Sequence, residues 1–193
     1  MKLLVEKNWG AKIISLDQFA KLRPKLGKIV ATSGGYDPVH PGHISLMINS
    51  KKYGDTLVVI VNGDWFLSQK KGRPFQSLET RCLIVSGITN VDYVIPFEIE
   101  NDMSVNEALR IIKPQVYTKG GDTVDPSTIR EWDVCQQNKT KVIFGVGDDK
   151  KWSSSWFLKD WEKTRRQAKR AQATQRLKEK LDKYEKKREP KEA

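Results

Sequence analysis

Five short apolar runs, KIVATS, TLVVIVN, DYVIPF, QVYTK and KVIFGV, recur along residues 28–146, each parted from the next by a stretch of helical character. None alternates cleanly between apolar and polar residues, as a strand with one wet face would. Such runs fit strands buried on both faces, the environment of a parallel sheet covered by helices. Parallel neighbours need a crossover of a dozen or more residues, and the intervals supply it. This β-α-β succession predicts an α/β fold: a Rossmann-like, five-stranded parallel sheet with helices on both faces.

Local chemistry places the helices. Ser15-Leu16-Asp17-Gln18 has the S-x-x-Q form of a capping box and precedes apolar Phe19, Ala20 and Leu22, with Pro24 and Gly27 as the stop. Residues 44–53, closed by Gly54, and 78–87 read as the next helices. Ser104-Val105-Asn106-Glu107 is a second capping box, opening a helix to about 113. Asp125-Pro126 reads as a cap followed by proline at the first helical position, with the helix running to about 137. From about 153 to 188 there is no Gly or Pro, which predicts one long charged C-terminal helix. The expected organisation is a lead-in and helix over 1–27, a catalytic domain over 28–156 and a basic helical tail over 157–193.

Charge is unevenly spread. Of a formal net charge of +11, the tail carries 14 Lys or Arg against 7 Asp or Glu, so the rest of the chain is mildly basic and suited to phosphorylated substrates. A thin apolar stripe that includes Leu177 and Leu181 allows self-association of the tail into a homo-oligomer. Tail aromatics are sparse, so base stacking has little support and nucleic acid is not the expected partner. No apolar run approaches the ~18 residues of a membrane span, and Glu6 and Asn8 interrupt the start before a leader core forms. A cytoplasmic protein is expected, with Cys82 and Cys135 as ordinary thiols and no metal centre built from protein side chains.

The chemistry concentrates in Ser33-Gly34-Gly35-Tyr36-Asp37-Pro38-Val39-His40-Pro41-Gly42-His43, which leaves the first long strand and enters a helix. That is the ligand-binding position of open α/β sheets. Gly34 and Gly35 let backbone approach a phosphate. Pro41 and Gly42 shape a helix opening whose free N–H groups attract anions. His40 and His43, the two histidines of the chain, lie three apart and can aim ring nitrogens at one phosphate to stabilise charge as an anhydride breaks. No G-x-x-x-x-G-K-[ST], strand-following G-x-G-x-x-G or G-x-S-x-G is present, so Walker-type NTPases, dinucleotide oxidoreductases and the common hydrolase elbow are excluded.

GYDPVHPGH resembles the H-x-G-H signature of the cytidylyltransferase-like nucleotidyltransferase superfamily. SKKYGDTLVVIVNGD, KKGRPFQSLETR, DYVIPF and VYTKGGD are similar to its later segments, across roughly residues 12–156. Within it, the resemblance is to sugar-phosphate adenylyltransferases, typified by the adenylyltransferase half of the bifunctional ADP-heptose synthase. The resemblance implies AMP transfer from ATP to a phosphorylated sugar-like acceptor, with release of pyrophosphate and with Mg²⁺ on the triphosphate.

It also implies roles by residue. His40, His43 and Lys51 would be catalytic. Ser33, Gly34, Gly35, Tyr36 and Gly42 would hold the nucleotide phosphates, with Lys119, Gly120 and Asp122 lining the nucleoside pocket. Ser153, Ser154 and Ser155 would grip phosphates at the opening of the last helix. Asp37, Lys70, Lys71 and Arg81 would serve the acceptor, the lysines from a loop after the second strand. Two alternatives stand beside this expectation: a cytidylyltransferase acting on glycerol phosphate or an amino-alcohol phosphate, and a nucleic-acid-associated binding protein with a secondary nucleotide site.

Overall fold

The computed structural model describes residues 10–121, 125–148 and 153–186, except the side chains of 182 and 184–186. Asp122 therefore lies outside the described residues. The chain divides into two compact units between Ser154 and Ser155.

The first unit is built on six parallel strands, not five: β1 (Lys12–Ile13), β2 (Ile29–Gly34), β3 (Thr56–Asn62), β4 (Tyr93–Phe97), β5 (Val116–Thr118) and β6 (Lys141–Ile143). They lie in the order β1-β4-β3-β2-β5-β6. The addition is β1, where Lys12 and Ile13 pair with Tyr93 and Val94; the lead-in thus joins the sheet. The helices are α1 (Leu16–Leu22), α2 (Pro41–Lys51), α3 (Asp64–Lys71), α4 (Leu78–Ser86), α5 (Asn106–Ile112), α6 (Trp132–Gln137) and α7 (Ser154–Lys186).

β3 is buried at every position, as its unbroken apolar sequence requires. Because side chains alternate along a strand, Val58 and Ile60 join one core with Phe19, Leu109 and Ile112. Leu57, Val59 and Val61 join a second core with Met47 and Val85. Each such buried side chain stabilises the fold by about 1.5–3 kcal/mol in transfer energy. Helices therefore cover both faces.

Three local expectations meet different outcomes. The Ser15 box forms as read, with Ser15 and Gln18 exchanging side-chain-to-backbone hydrogen bonds of 3.2 and 2.9 Å. The Ser104 box does not form: Val105 is the N-cap of α5, and Ser104 Oγ instead accepts from the Asn106 N–H at 3.2 Å. Asp125-Pro126 opens a 3-10 turn, Pro126–Thr128, capped by the Ser127 N–H on the Asp125 carboxylate. The chain then extends at Ile129 (φ −106°, ψ 129°) before α6 begins. The loop expected to carry Lys70 and Lys71 is α3, and both lysines sit in its last turn.

From β2 the chain moves outward to β3 and β4, then crosses back to place β5 and β6 on the other side of β2. The segments following β2 and β5 therefore leave in opposite directions, and a crevice opens between their carboxyl ends, where open α/β sheets bind ligands.

The second unit begins at Ser155 and carries the body of α7, a helix about 50 Å long at 1.5 Å per residue. Residues 159–181 are exposed along it. Arg166 pairs with Glu162 at 2.5 Å on the helix face, and Trp161, Leu177 and Leu181 are each more than half exposed. Among the described residues no helix is long and apolar enough to cross a membrane.

Candidate nucleotide site

The site grows from the end of β2. Tyr36 takes a left-handed backbone (φ 51°), which turns its ring inward to complete burial. Gly34 permits this, since a Cβ there would stand 2.9 Å from the Tyr36 ring. His40 is the N-cap of α2 without a side-chain cap bond, and Pro41 follows at the first helical position. The N–H groups of His43 and Ile44 both donate to His40 O, so the turn is closed by backbone alone. Across it the two imidazoles stack, with centroids 3.7 Å apart and planes 19° from parallel. The Tyr36 ring meets His43 edge-on at 5.0 Å.

His43 Nδ1 is buried without a hydrogen bond among the described residues. Burial, then the His40 ring and the Lys70 ammonium, push His43 down to about 3. Burial also lowers His40. Without a ligand the His43 ring is therefore neutral at pH 7. The unfolded chain takes up a proton there near pH 6.5, whereas the folded chain resists until about 3. The contribution of His43 to stability is thus full above about pH 6.5 and declines as pH falls from there towards 3. Chemical denaturation between about pH 7.5 and 4.5 should show a steeper acid loss for the native protein than for His43→Gln. Parallel curves would contradict the depressed value.

Two side chains fix the loop that carries the turn. The Asp37 carboxylate is buried, accepts from the N–H groups of Phe75 and Gln76 at 2.8 Å each, and pairs with Lys71 Nζ at 2.6 Å. Arg81, from α4, is wholly buried. It donates to Gly35 O at 2.7 Å, Asn62 O at 2.5 Å and Gln76 O at 3.1 Å, and pairs with Asp64 Oδ1 at 2.7 Å. The geometry therefore gives Asp37, Lys71 and Arg81, each expected to serve the acceptor, partners within the protein. Sequence reasoning did not find Asp64, Asn62 or Gln76, whose part rests on contacts 5–19 residues from Arg81.

Lys51 is placed elsewhere. It ends α2 about 12 Å along the helix from His43, donates to Asp55 O at 2.6 Å and pairs with Asp92 at 2.5 Å, where Asp92 also accepts from the Leu57 N–H. That is the amino end of β3, opposite the HPGH turn, so a catalytic part for Lys51 does not fit this structure.

A cavity of about 450 Å³ opens in the crevice, walled by Ser33, Gly35, Phe66, Lys70, Lys119 and Arg130 among others, but by neither imidazole. Gly120 follows Lys119 where the chain is tightly packed: a Cβ there would come within 3.1 Å of Val146 O. Ser154 Oγ donates to Pro38 O at 2.9 Å, tying the end of the first unit to the loop before the turn. Ser153 is half-buried beside it in sequence, and Ser155 opens the second unit. Cys82 and Cys135 are buried free thiols, which burial pushes up to about 12.

A cytidylyltransferase-like family model matches residues 31–170. The bifunctional protein HldE of Haemophilus ducreyi is 43% identical over 110 residues, which are 55% of this chain and 22% of that protein. The HldE of Gluconobacter oxydans is 36% identical over 148 residues, 74% of this chain and 30% of that one. The chain thus spans less than a third of the length of these curated relatives. Among solved structures, a lipopolysaccharide core biosynthesis protein from Thermoplasma volcanium GSS1 superposes with a TM-score of 0.53 at 26% identity, covering 64% of this chain and 99% of that chain. Pantoate-beta-alanine ligase from Francisella tularensis gives 0.50 at 18% identity over 75% and 69%, a likeness of fold alone. The family match takes in the glycine loop, the HPGH turn and the crevice together: the chain belongs to the cytidylyltransferase-like family.

Proposed function

We propose that the protein transfers AMP from ATP to a phosphorylated, sugar-like acceptor and releases pyrophosphate. The observation that carries this is the stacked His40–His43 pair on the opening turn of α2, beside the glycine loop and crevice. The name of the Thermoplasma protein, a lipopolysaccharide core biosynthesis protein, supports a saccharide-linked substrate.

An acceptor phosphate oxygen attacks the α-phosphorus in line, forming one P–O bond as the bond to the β-phosphate oxygen breaks. Pyrophosphate leaves with that electron pair. The amides of Gly35 and Tyr36, the turn at Gly42, and His40 and His43 stabilise the phosphates, so catalysis is positioning and charge stabilisation. Ser33 and Gly34 border the nucleotide, Lys119 and Gly120 its nucleoside end, and Lys70 the acceptor. Ser153 and Ser154 offer hydroxyls to the phosphates.

Nucleotidyltransferases of this kind take their nucleotide with a divalent cation. Among the described residues no three His, Cys, Asp or Glu side chains gather as a metal centre. A cation such as Mg²⁺ carried on the triphosphate would need few protein ligands and would neutralise phosphate charge.

The test is pyrophosphate release from each of the four NTPs with a divalent cation and a panel of sugar phosphates and alcohol phosphates. Release with ATP and a sugar phosphate is expected. Preference for CTP with glycerol phosphate or an amino-alcohol phosphate would replace the adenylyl reading with the cytidylyl one. No release and no nucleotide binding would overturn both.

A further inference from the structure

Lys119 follows β5 and faces the cavity, and its ammonium is held by groups outside the HPGH turn. Its Nζ lies 3.2 Å from Glu131 Oε2 and 4.9 Å from the centre of the Tyr117 ring. Glu131 is 6% exposed, and its other oxygen accepts from the Val105 N–H at 3.4 Å, where α5 begins. Tyr117 is wholly buried, and its hydroxyl meets Ser33 Oγ at 2.6 Å. A polar chain thus joins the end of β2 to the end of β5 and the opening of α5.

Enclosing two opposite charges costs desolvation that their attraction only roughly offsets, so such a pair adds little stability over apolar packing. What it delivers is a cation in one place. Burial alone would push the Lys119 ammonium down; the Tyr117 phenol and the Glu131 carboxylate outweigh it, and the net direction is upward. The lysine stays charged, and its long side chain does not have to be ordered when an anion arrives.

We propose that Glu131 is a positioning residue, fixing the Lys119 ammonium at the cavity wall to receive the nucleotide. Its kinetic consequence rests on the nucleotidyl-transfer function proposed above; the pairing itself does not.

The experiment compares wild type, Glu131→Gln, Lys119→Met and the double variant in the full chain. Glu131→Gln should raise the KM of the nucleotide about tenfold, with a smaller change in kcat. In the Lys119→Met background the same change should add less than about twofold, because its route is gone. Gln keeps an acceptor for the Val105 N–H, and matched thermal melts guard against loss of fold; if Gln fails to fold, Glu131→Asp takes its place. An unchanged KM, or a tenfold effect in both backgrounds, would overturn the proposal.

A second readout needs no turnover. The chemical shift of the Lys119 ε-carbon in the free protein should titrate at lower pH in Glu131→Gln than in wild type. Identical titrations would overturn the pairing. If wild type turns over no nucleotide, the proposed function fails, while this titration still decides whether Glu131 holds the Lys119 ammonium.

Discussion

Replacing His43 by alanine is expected to cut kcat by about 10²–10³-fold, the loss seen when one preorganised donor to a developing charge is removed. The ring is held before any ligand arrives, stacked on His40 and met edge-on by Tyr36. Its position needs no reordering at the moment of reaction. Because Nδ1 makes no hydrogen bond among the described residues, truncation leaves no protein partner of that nitrogen stranded, and the fold should survive. Steady-state turnover with the NTP and acceptor that wild type uses is the measurement, beside a thermal melt. Turnover within a few-fold of wild type would remove His43 from the mechanism.

Arg81→Ala is expected to cost about 3–5 kcal/mol of stability, the range for breaking a buried charged network by deleting one partner. Three carbonyls, of Gly35, Asn62 and Gln76, lose a donor together, and Asp64 loses its cation. Two of those carbonyls belong to the glycine loop and to the end of β3, so nucleotide binding should weaken along with stability. Arg81→Lys keeps the charge but not the planar fork, and should recover only part of the loss. Chemical denaturation reads the outcome, and a change under about 1 kcal/mol would show that the network is not what holds the loop.

Where a pattern is local, the sequence reveals it. β2 to β6 were legible because strands covered by helices are apolar nearly throughout. The HPGH turn was legible because its parts are adjacent in the chain. β1 was not, since two residues hold no pattern, and its pairing with β4 spans some 80 residues. α3 reads as a loop in the sequence because Gly63 caps it with no side-chain cap bond, so no capping signal marks its start. The Ser104 box failed because Asp102 takes the Ser104 N–H at 2.7 Å, which Glu107 would have met, while Ser104 Oγ accepts from Asn106. Lys51 shows the same limit from the other side. Its spacing after the signature suited a phosphate contact, but helix geometry carries it to the far end of α2, where Asp92 takes it.

The sheet ends in a two-residue strand on one rim and a three-residue strand on the other. A long bare rim would offer unpaired amides and carbonyls on which another chain could add as an extra strand, the usual route to edge-to-edge aggregation. Rims this short give such a chain almost nothing to hold, although the strands between them are among the most apolar parts of the molecule. Among the described residues, therefore, the rims leave a second copy little backbone to pair with, however strongly β-forming the interior.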